Sequence, residues 1–420
     1  MSDSIIKLSR NTENAPLSNE STQSVAFSHY NNISAQLPID PKNGELVSGG
    51  IEQQASQCLS NIKAIVESFD KGMYDIVRVN VYLKDITSIE AVNEVYRSFF
   101  LSHLPTRTVL AVAALPVEGA LVQMDAVLSN GEGTYPQEPC GLIKLVRNTP
   151  KAPICAHSTQ SVAFSHYNHI SAQLPIDPTT GNMVVGGVKE QAHQCLLNIK
   201  NILNSIDVPF DDIVKVNIHV IRGEFIEQID EVYTTFFPDS AIARAVTYMP
   251  ARSFVVAEAL PMGALVQIDV TVSHGDGTPP QAIEDRHGIV IKASNTDKAP
   301  ISMTSTQTVA FSHYNNITAQ LPFDAKLGVI LTVGAKEQTI QCLENIKQIV
   351  ESIDHDMDDI VKVNIQLTDM DDLAVVNEVY TRYFNKPLPA RTVIGVSELP
   401  LDASVQIDVI VSNAEGTPPK

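Results

Sequence analysis

The 420-residue sequence is poor in cysteine, in positive charge and in long apolar runs, and each shortage removes a class of protein. Five cysteines in a chain of this length build no disulfide framework, and no Cys-x-x-Cys pair or Cys/His cluster has the spacing of a zinc site. Lysine and arginine number 29 against 48 acidic residues, a net charge of −19. Such a surface repels phosphate backbones and anionic lipid, so nucleic acid is not an expected partner. No apolar run approaches the length of a membrane span, which points to a soluble, globular chain with no membrane partner. The first ten residues show no basic stretch leading into an apolar core, so the expected compartment is the cytoplasm. Also missing are a Ser-His-Asp signature, a phosphate-binding glycine loop and a dinucleotide fingerprint. Gly49-Gly50 and Gly186-Gly187 precede helical patterns without the rest of such a motif and read as turn glycines. No cofactor and no metal is expected.

What is present is repetition. Ser21-Thr-Gln-Ser-Val-Ala-Phe-Ser-His-Tyr30 returns at residues 158–167, and at 305–314 with one Ser→Thr change. Asp75-Ile-Val-Arg-Val-Asn80 returns at 212–217 and 359–364, and Leu104-Pro-Thr-Arg-Thr-Val109 at 249–254 and 388–393. Three phrases in the same order in each third divide the 420 residues into copies of roughly 140 residues, each long enough to hold its own core. Gly/Pro/Thr-rich stretches place linkers at about 130–142 and 273–288, giving domains at 1–137, 138–281 and 282–420.

Within copy one, residues 23–30 and 32–37 read as two strands joined at a His-Tyr-Asn-Asn turn. A helix follows over about 50–69, with Ile51, Ala55, Cys58, Leu59, Ile62 and Ile65 on one face. In the next strand Val77, Val79, Val81 and Leu83 alternate with Arg78, Asn80, Tyr82 and Lys84. A second helix covers about 89–100, and strands over 107–114 and 121–128 close the unit. The order ββαβαββ is an α+β domain whose two helices cover one sheet face. The other face needs cover from elsewhere, and three copies in one chain supply it as an intramolecular pseudo-trimer, expected to be monomeric. Cys58, Cys195 and Cys342 recur in Gln-Cys-Leu-x-Asn-Ile-Lys and read as small apolar residues on a helix face.

An arginine opens the penultimate strand of each copy (Arg107, Arg252, Arg391), and an aspartate sits within the last (Asp125, Asp269, Asp408). Aspartate is disfavoured in mid-strand and a buried carboxylate needs a partner. Two readings stay open on residue types alone: a salt bridge tying adjacent strands, or a site where Arg grips a substrate carboxylate while Asp handles water and protons. His29, His166 and His313, at the first hairpin turn beside Tyr30, Tyr167 and Tyr314, read as surface or interface residues.

Each third resembles the RidA (YjgF, L-PSP) family of imine/enamine deaminases. In copy one the resemblance rests on Ser34-Ala-Gln-Leu-Pro38, Asp40-Pro-Lys-Asn-Gly44, Gln57-Cys-Leu-Ser-Asn-Ile62, Val92-Asn-Glu-Val-Tyr96, Pro105-Thr-Arg107, Leu115-Pro116 and Val122-Gln-Met-Asp125. The resemblance implies chorismate-mutase-like ββαβαββ domains arranged as a trimer, with small-molecule clefts between neighbours. It implies hydrolysis of 2-imino/enamine acids of the 2-aminoacrylate type to 2-keto acid and ammonia. The family arginine, which pairs with the substrate carboxylate, falls on Arg107, Arg252 and Arg391. The water-orienting glutamate falls on Asp125, Asp269 and Asp408, one methylene shorter. The family's Ser-Gly pair becomes Ser34-Ala35, Ser171-Ala172 and Thr318-Ala319, and its helix asparagine is Asn93 and Asn377 but Asp230 in copy two. A family tyrosine aligns with Ser21, Ser158 and Ser305. Copy two also has eight extra residues between Phe237 and Arg252, so unequal clefts are expected. The alternatives to a deaminase are a protein that binds a small keto or amino acid without turning it over, and an endoribonuclease, against which the acidic charge argues.

Overall fold

The computed structural model describes residues 7–129, 144–237, 248–277 and 291–416. Copy one runs β1 (Leu8–Arg10), β2 (Ser24–Phe27), β3 (Tyr30–Gln36), a short hairpin β4 (Ile39–Asp40) and β5 (Glu45–Leu46), α1 (Ile51–Glu67), β6 (Ile76–Leu83), α2 (Ile89–Phe99), β7 (Thr106–Ala111) and β8 (Val122–Ser129). Copy two follows with β9 (Lys144–Arg147), β10 (Ser161–Gln173), α3 (Val188–Ser205), β11 (Ile213–Val220), α4 (Phe225–Phe236), β12 (Ala251–Val256) and β13 (Val266–Gly277). Copy three has β14 (Lys292–Ser294), β15 (Thr308–Ile317), β16 (Phe323–Asp324), β17 (Val329–Ile330), α5 (Ala335–Glu351), β18 (Ile360–Leu367), α6 (Leu373–Tyr380), β19 (Ala390–Gly395) and β20 (Val405–Gly416).

The ββαβαββ order stands in each copy, with additions the sequence pattern did not show. An N-terminal strand (β1, β9 or β14) pairs antiparallel with the outer part of the first hairpin. In copy one the sheet order is β1-β2-β3-β8-β6-β7, and only β6 and β7 run parallel. In copies two and three the expected first pair lies within β10 and at β15, and the chain doubles back at Ser165 and Ser312 as it does at Ser28: Ser171 N–H donates to Gln160 O (3.0 Å) and Thr318 N–H to Gln307 O (2.9 Å), as Ser34 N–H does to Gln23 O (2.9 Å). The strand expected over 107–114 ends at Ala111, and from there its amides alternate between copies, with Val112 N–H still donating to Leu83 O of its own sheet at 2.8 Å. Ala111 N–H donates to Ala259 O and Ala113 N–H to Gly395 O, each 2.9 Å away in a different copy. The first linker lies outside the described residues; the second starts later than expected, since β13 is still paired at Gly277 opposite Ser165. The insertion of copy two falls at 238–247, outside the described residues.

Each sheet buries one face under its helices. Cys58, Leu59, Ile62 and Ile65 of α1 and Val92 and Tyr96 of α2 pack on Val79, Val81, Met124 and Leu128 in one apolar cluster, repeated in the other copies. The recurring cysteines are buried here, as their apolar spacing implied, and burial raises their thiol pKa values. Gly49 and Gly186 sit before α1 and α3 at φ of 112° and 132°, the left-handed region a turn glycine supplies.

The other sheet faces turn inward and build a centre common to the three copies. Phe27, Tyr30, Phe164, Tyr167, Phe311 and Tyr314 form one apolar layer, and Leu110, Val255 and Ile394 belong to another. The closure is cyclic. Tyr30 Oη donates to Phe164 O, Tyr167 Oη to Phe311 O and Tyr314 Oη to Phe27 O, so each copy holds the next and the third holds the first. Between the two layers lies a cavity of about 160 Å³ lined by residues of all three copies.

Candidate functional site

The register decides what shares a site. Val79 of β6 lies opposite both Arg107 and Ala126, whereas Asn80 lies opposite both Thr108 and Asp125. Side chains alternate along strands, so Arg107 points to the helix face and Asp125 to the axis face of the same sheet. The structure therefore does not bring together the arginine and aspartate paired in the sequence reading, and the same phase holds in copies two and three.

The arginines stand at the seams between copies. Arg107 N–H donates to Ser171 Oγ (2.9 Å), Arg252 N–H to Thr318 Oγ1 (3.1 Å) and Arg391 N–H to Ser34 Oγ (2.9 Å). Each hydroxyl donates in turn to its own copy, Ser34 to Thr22 O, Ser171 to Thr159 O and Thr318 to Thr306 O. Ser34-Ala35 and Ser171-Ala172 occupy register shifts in β3 and β10, and Ala319 N–H donates to Arg252 O at 2.9 Å. A bulge lets the strand bend and offer its hydroxyl and amide sideways to the neighbour's edge strand. The Ser/Thr-Ala pairs thus border the clefts and have their hydroxyls engaged in the seam.

On the helix face each guanidinium rests on an aromatic ring and meets the helix position singled out from the sequence. Arg107 lies 4.7 Å from the Tyr96 ring centre and Nη2 donates to Asn93 Oδ1 at 2.5 Å. Arg252 lies over Tyr233 and Phe254, at 5.1 and 4.6 Å. Arg391 lies 5.0 Å from Tyr380 and donates to Asn377 Oδ1 at 2.7 Å. Planar stacking fixes the fork and leaves its edge available for a planar anion.

The three clefts differ in what else faces the arginine. In the Arg252 cleft Asp230 makes an ion pair at 2.6 Å and Thr304 Oγ1 accepts from Nη2 at 2.5 Å. In the Arg391 cleft Glu20 is close enough to favour the charged guanidinium, against the burial that lowers its pKa. In the Arg107 cleft the corresponding residue is His157, whose own pKa burial and Arg107 both lower, while burial lowers the Arg107 pKa and Glu90 is close enough to favour its charged form. Among the described residues Arg107 Nη1 is buried without a hydrogen-bond partner. A buried donor left unpaired costs about 1–3 kcal/mol, more when charged, so this atom is the strongest mark of a ligand oxygen in the clefts. The chain order Glu20, His157, Thr304, each just ahead of a repeated Ser-Thr-Gln, was visible in the sequence, but nothing there showed that it reaches the previous copy's arginine.

Asp125 and Asp408 line the central cavity, and Asp269 is buried behind Arg78, Asn217 and His219, which line it. Asp269 takes Arg78 Nη2 at 2.6 Å, His219 Nε2 at 2.9 Å and Asn217 Nδ2 at 2.8 Å. Burial alone would raise its pKa, but Arg78, His219 and Asn217 outweigh it and hold the carboxyl below the usual range. Asp125 accepts from Asn80 (2.8 Å) and Thr392 (2.6 Å) with Lys362 at 3.6 Å. Asp408 accepts from Asn364 and Ser253, both at 2.9 Å, with Lys215 at 3.9 Å. Each cation belongs to a different copy from its aspartate, so the ion pairs tie copy to copy. Glutamines of the last strands reach the arginine strands of a neighbouring copy as well, through backbone carbonyls. Gln123 donates to Val393 O, Gln267 to Val109 O and Gln406 to Phe254 O, at 3.0, 2.8 and 2.8 Å, each two residues beyond an arginine. Sequence reasoning placed Gln123 beside Asp125 on one face without giving it a role.

A family model described as Endoribonuclease L-PSP matches residues 12–129, 149–274 and 302–413. RutC family protein PH0854 of Pyrococcus horikoshii is 41% identical over 121 residues, 29% of this chain and 94% of that protein. Human 2-iminobutanoate/2-iminopropanoate deaminase is 38% identical over 99 residues, 24% of this chain and 72% of the human protein. Among solved structures, RidA from the Antarctic bacterium Psychrobacter sp. PAMC 21119 is 37% identical over 29% of this chain and 99% of its own, with a TM-score of 0.28.

Proposed function

The chain belongs to the RidA/YjgF/L-PSP family in all three copies, and we propose that it hydrolyses small 2-imino or enamine acids to 2-keto acids and ammonia, chiefly in the cleft of Arg107. The observation that carries the reading is the buried, stacked guanidinium of Arg107 with Nη1 unpaired. A substrate carboxylate completes that donor set in a way Lys would not reproduce. The relatives named 2-iminobutanoate/2-iminopropanoate deaminase supply the reaction class.

Arg107 fixes the carboxylate and the Tyr96 ring holds the guanidinium in plane. Water adds to the imine carbon, and collapse of the resulting carbinolamine expels ammonia and leaves the keto acid. Binding the planar acid at a fixed angle contributes through orientation. On the neighbouring copy's side His157, whose pKa burial and Arg107 lower, orients or accepts from the attacking water. The Asp230 ion pair favours non-catalytic binding, or none, in the Arg252 cleft, and the Arg391 cleft offers no buried unpaired guanidinium nitrogen like Arg107 Nη1 among the described residues.

Imines released in situ by an amino-acid oxidase, with keto-acid formation followed above the spontaneous rate, test the proposal. Arg107→Lys should lower the rate by about tenfold or more, a loss of roughly 1.4 kcal/mol in transition-state binding, while Arg252→Lys changes it little. No rate above buffer with any imine overturns the reaction, and equal losses from both variants overturn the choice of cleft.

A further inference from the structure

At one end of the pseudo-threefold axis the three copies present the same side chain. The first hairpin turn of each carries Ser-His-Tyr, and Ser28, Ser165 and Ser312 adopt φ of 53°, 52° and 51°. That left-handed region is unfavourable for a residue with a Cβ, and strain repeated at three equivalent positions marks a turn held for a purpose. Its effect is to bring His29, His166 and His313 together. Their ring centres lie 6.0, 5.8 and 5.7 Å apart. One ligating nitrogen from each falls within 4.8 Å of the other two, and among the described residues this is the group of three metal-type side chains that converges so.

The rings stand next to a fixed floor. Tyr30, Tyr167 and Tyr314 follow the histidines in sequence, with ring centres 6.1 Å apart and hydroxyls engaged in the cyclic bonds between copies. Among the described residues His29 Nδ1 and His313 Nδ1 are buried without a hydrogen-bond partner.

A zinc–imidazole bond of about 2.0–2.1 Å puts ring centres on one ion roughly 5.2–5.5 Å apart. The observed spacings exceed that by a few tenths of an ångström, within reach of small rotations about the side-chain bonds. Three nitrogen donors without a carboxylate suit zinc and its borderline neighbours and disfavour magnesium or calcium.

We propose that His29, His166 and His313 bind one zinc-class divalent ion on the pseudo-threefold axis, with the fourth position left to water. Each ligand comes from a different copy, so the ion binds the closed arrangement and not an opened one. It therefore acts as a clamp on the pseudo-trimer. The sequence gives no warning of such a site, because the ligands lie one per copy and lack the local spacing of a zinc motif.

The test uses the full chain stripped of metal and titrated calorimetrically with zinc chloride, with cobalt(II) as the optical probe. One zinc per chain is expected, with cobalt absorption of four-coordinate intensity. Zinc should raise the thermal midpoint by a few degrees, on the order set by mass action at saturating metal. His166→Asn should abolish the stoichiometric site and the thermal shift, while the exposed-site control His193→Asn retains both. Should His166→Asn fail to fold, anomalous scattering at the zinc edge from wild-type crystals decides: a peak among the three imidazoles supports the site. No stoichiometric binding, binding that survives His166→Asn, or a peak elsewhere overturns it.

Discussion

Replacing Asp230 by Asn probes the inequality of the clefts directly. Asp230 pairs with Arg252 at 2.6 Å and its side chain is 29% exposed, against 8% for the arginine. A ligand carboxylate gripped by the same guanidinium would lie roughly 4 Å from the Asp230 carboxylate. At an effective dielectric near 20 that repulsion is about 4 kcal/mol, near a thousandfold in affinity. Asp230 is partly solvated, so screening reduces the effect to about one or two orders of magnitude. Asparagine keeps the shape and can still accept from the arginine, as Asn93 and Asn377 do in the other copies. Calorimetric titration with an unreactive 2-keto acid should show one principal site in the wild type and a second in Asp230→Asn, and Arg252→Ala should remove the second. Three equal sites in the wild type, or a variant with unchanged stoichiometry and affinity, would refute the reasoning.

The remaining predictions concern the centre and the assembly. Asp269→Asn leaves Arg78 buried beside a neutral partner, so it should cost about 3–5 kcal/mol of stability by denaturant unfolding; a change below about 1 kcal/mol would show that the inter-copy pair contributes little. His169 is buried with neither ring nitrogen bonded, and burial together with Arg78 brings its pKa down to about 3. The unfolded imidazole protonates near 6.5, so the stability held by the neutral ring is complete above that pH and is lost as pH falls toward about 3. His169→Asn, the residue type of Asn32 and Asn316, should flatten the unfolding free energy over that window, and an unchanged slope would count against it. Light scattering should report a particle of one chain mass, 45.7 kDa; three chains per particle would contradict the internal closure.

Much of the domain was legible because its determinants are local. The helix faces of α1 and α2 follow from apolar spacing, and the alternation in β6 gave both its faces from Arg78 onward, whereas a register shift between Ile76 and Arg78 turns Val77 to the axial cluster instead of the helix side. What stayed hidden depends on register and closure. The Arg107–Asp125 pairing failed because β7 and β8 meet only through β6, and their relative phase is a property of two ladders that no single strand encodes. Arg78, Asn80 and Tyr82 alternate with the apolar positions of their strand, and that they line a common cavity emerges only when three such faces enclose one another. The N-terminal strands β1, β9 and β14 are three or four residues long, too short for periodicity to reveal. Asn93, Asp230 and Asn377 were identified through family resemblance and do meet the arginines, whereas Glu20, His157 and Thr304 act across a seam that only the assembled fold defines.

Fusing the copies changes what a substitution can do. In an assembly of identical subunits a residue facing its neighbour changes in every cleft at once; here it changes once. The residues on the arginines use that freedom: Asn93, Asp230 and Asn377 on one side, and His157, Thr304 and Glu20 on the other, make three chemically different clefts. The central cavity uses it too, with Tyr82, His219 and Gln366 at one level and Arg78, Lys215 and Lys362 at another. The axial turn does not, since Ser-His-Tyr is identical three times over and is strained at the serine each time. Packing alone does not require that identity, because a fused chain could relieve any one of the turns with glycine, which adopts the same φ without strain. A ligand that must be met from three directions at equal distance does require it. The contrast between divergent clefts and a uniform apex therefore separates two kinds of site in one molecule: clefts free to specialise one at a time, and an axial position where all three copies must contribute alike.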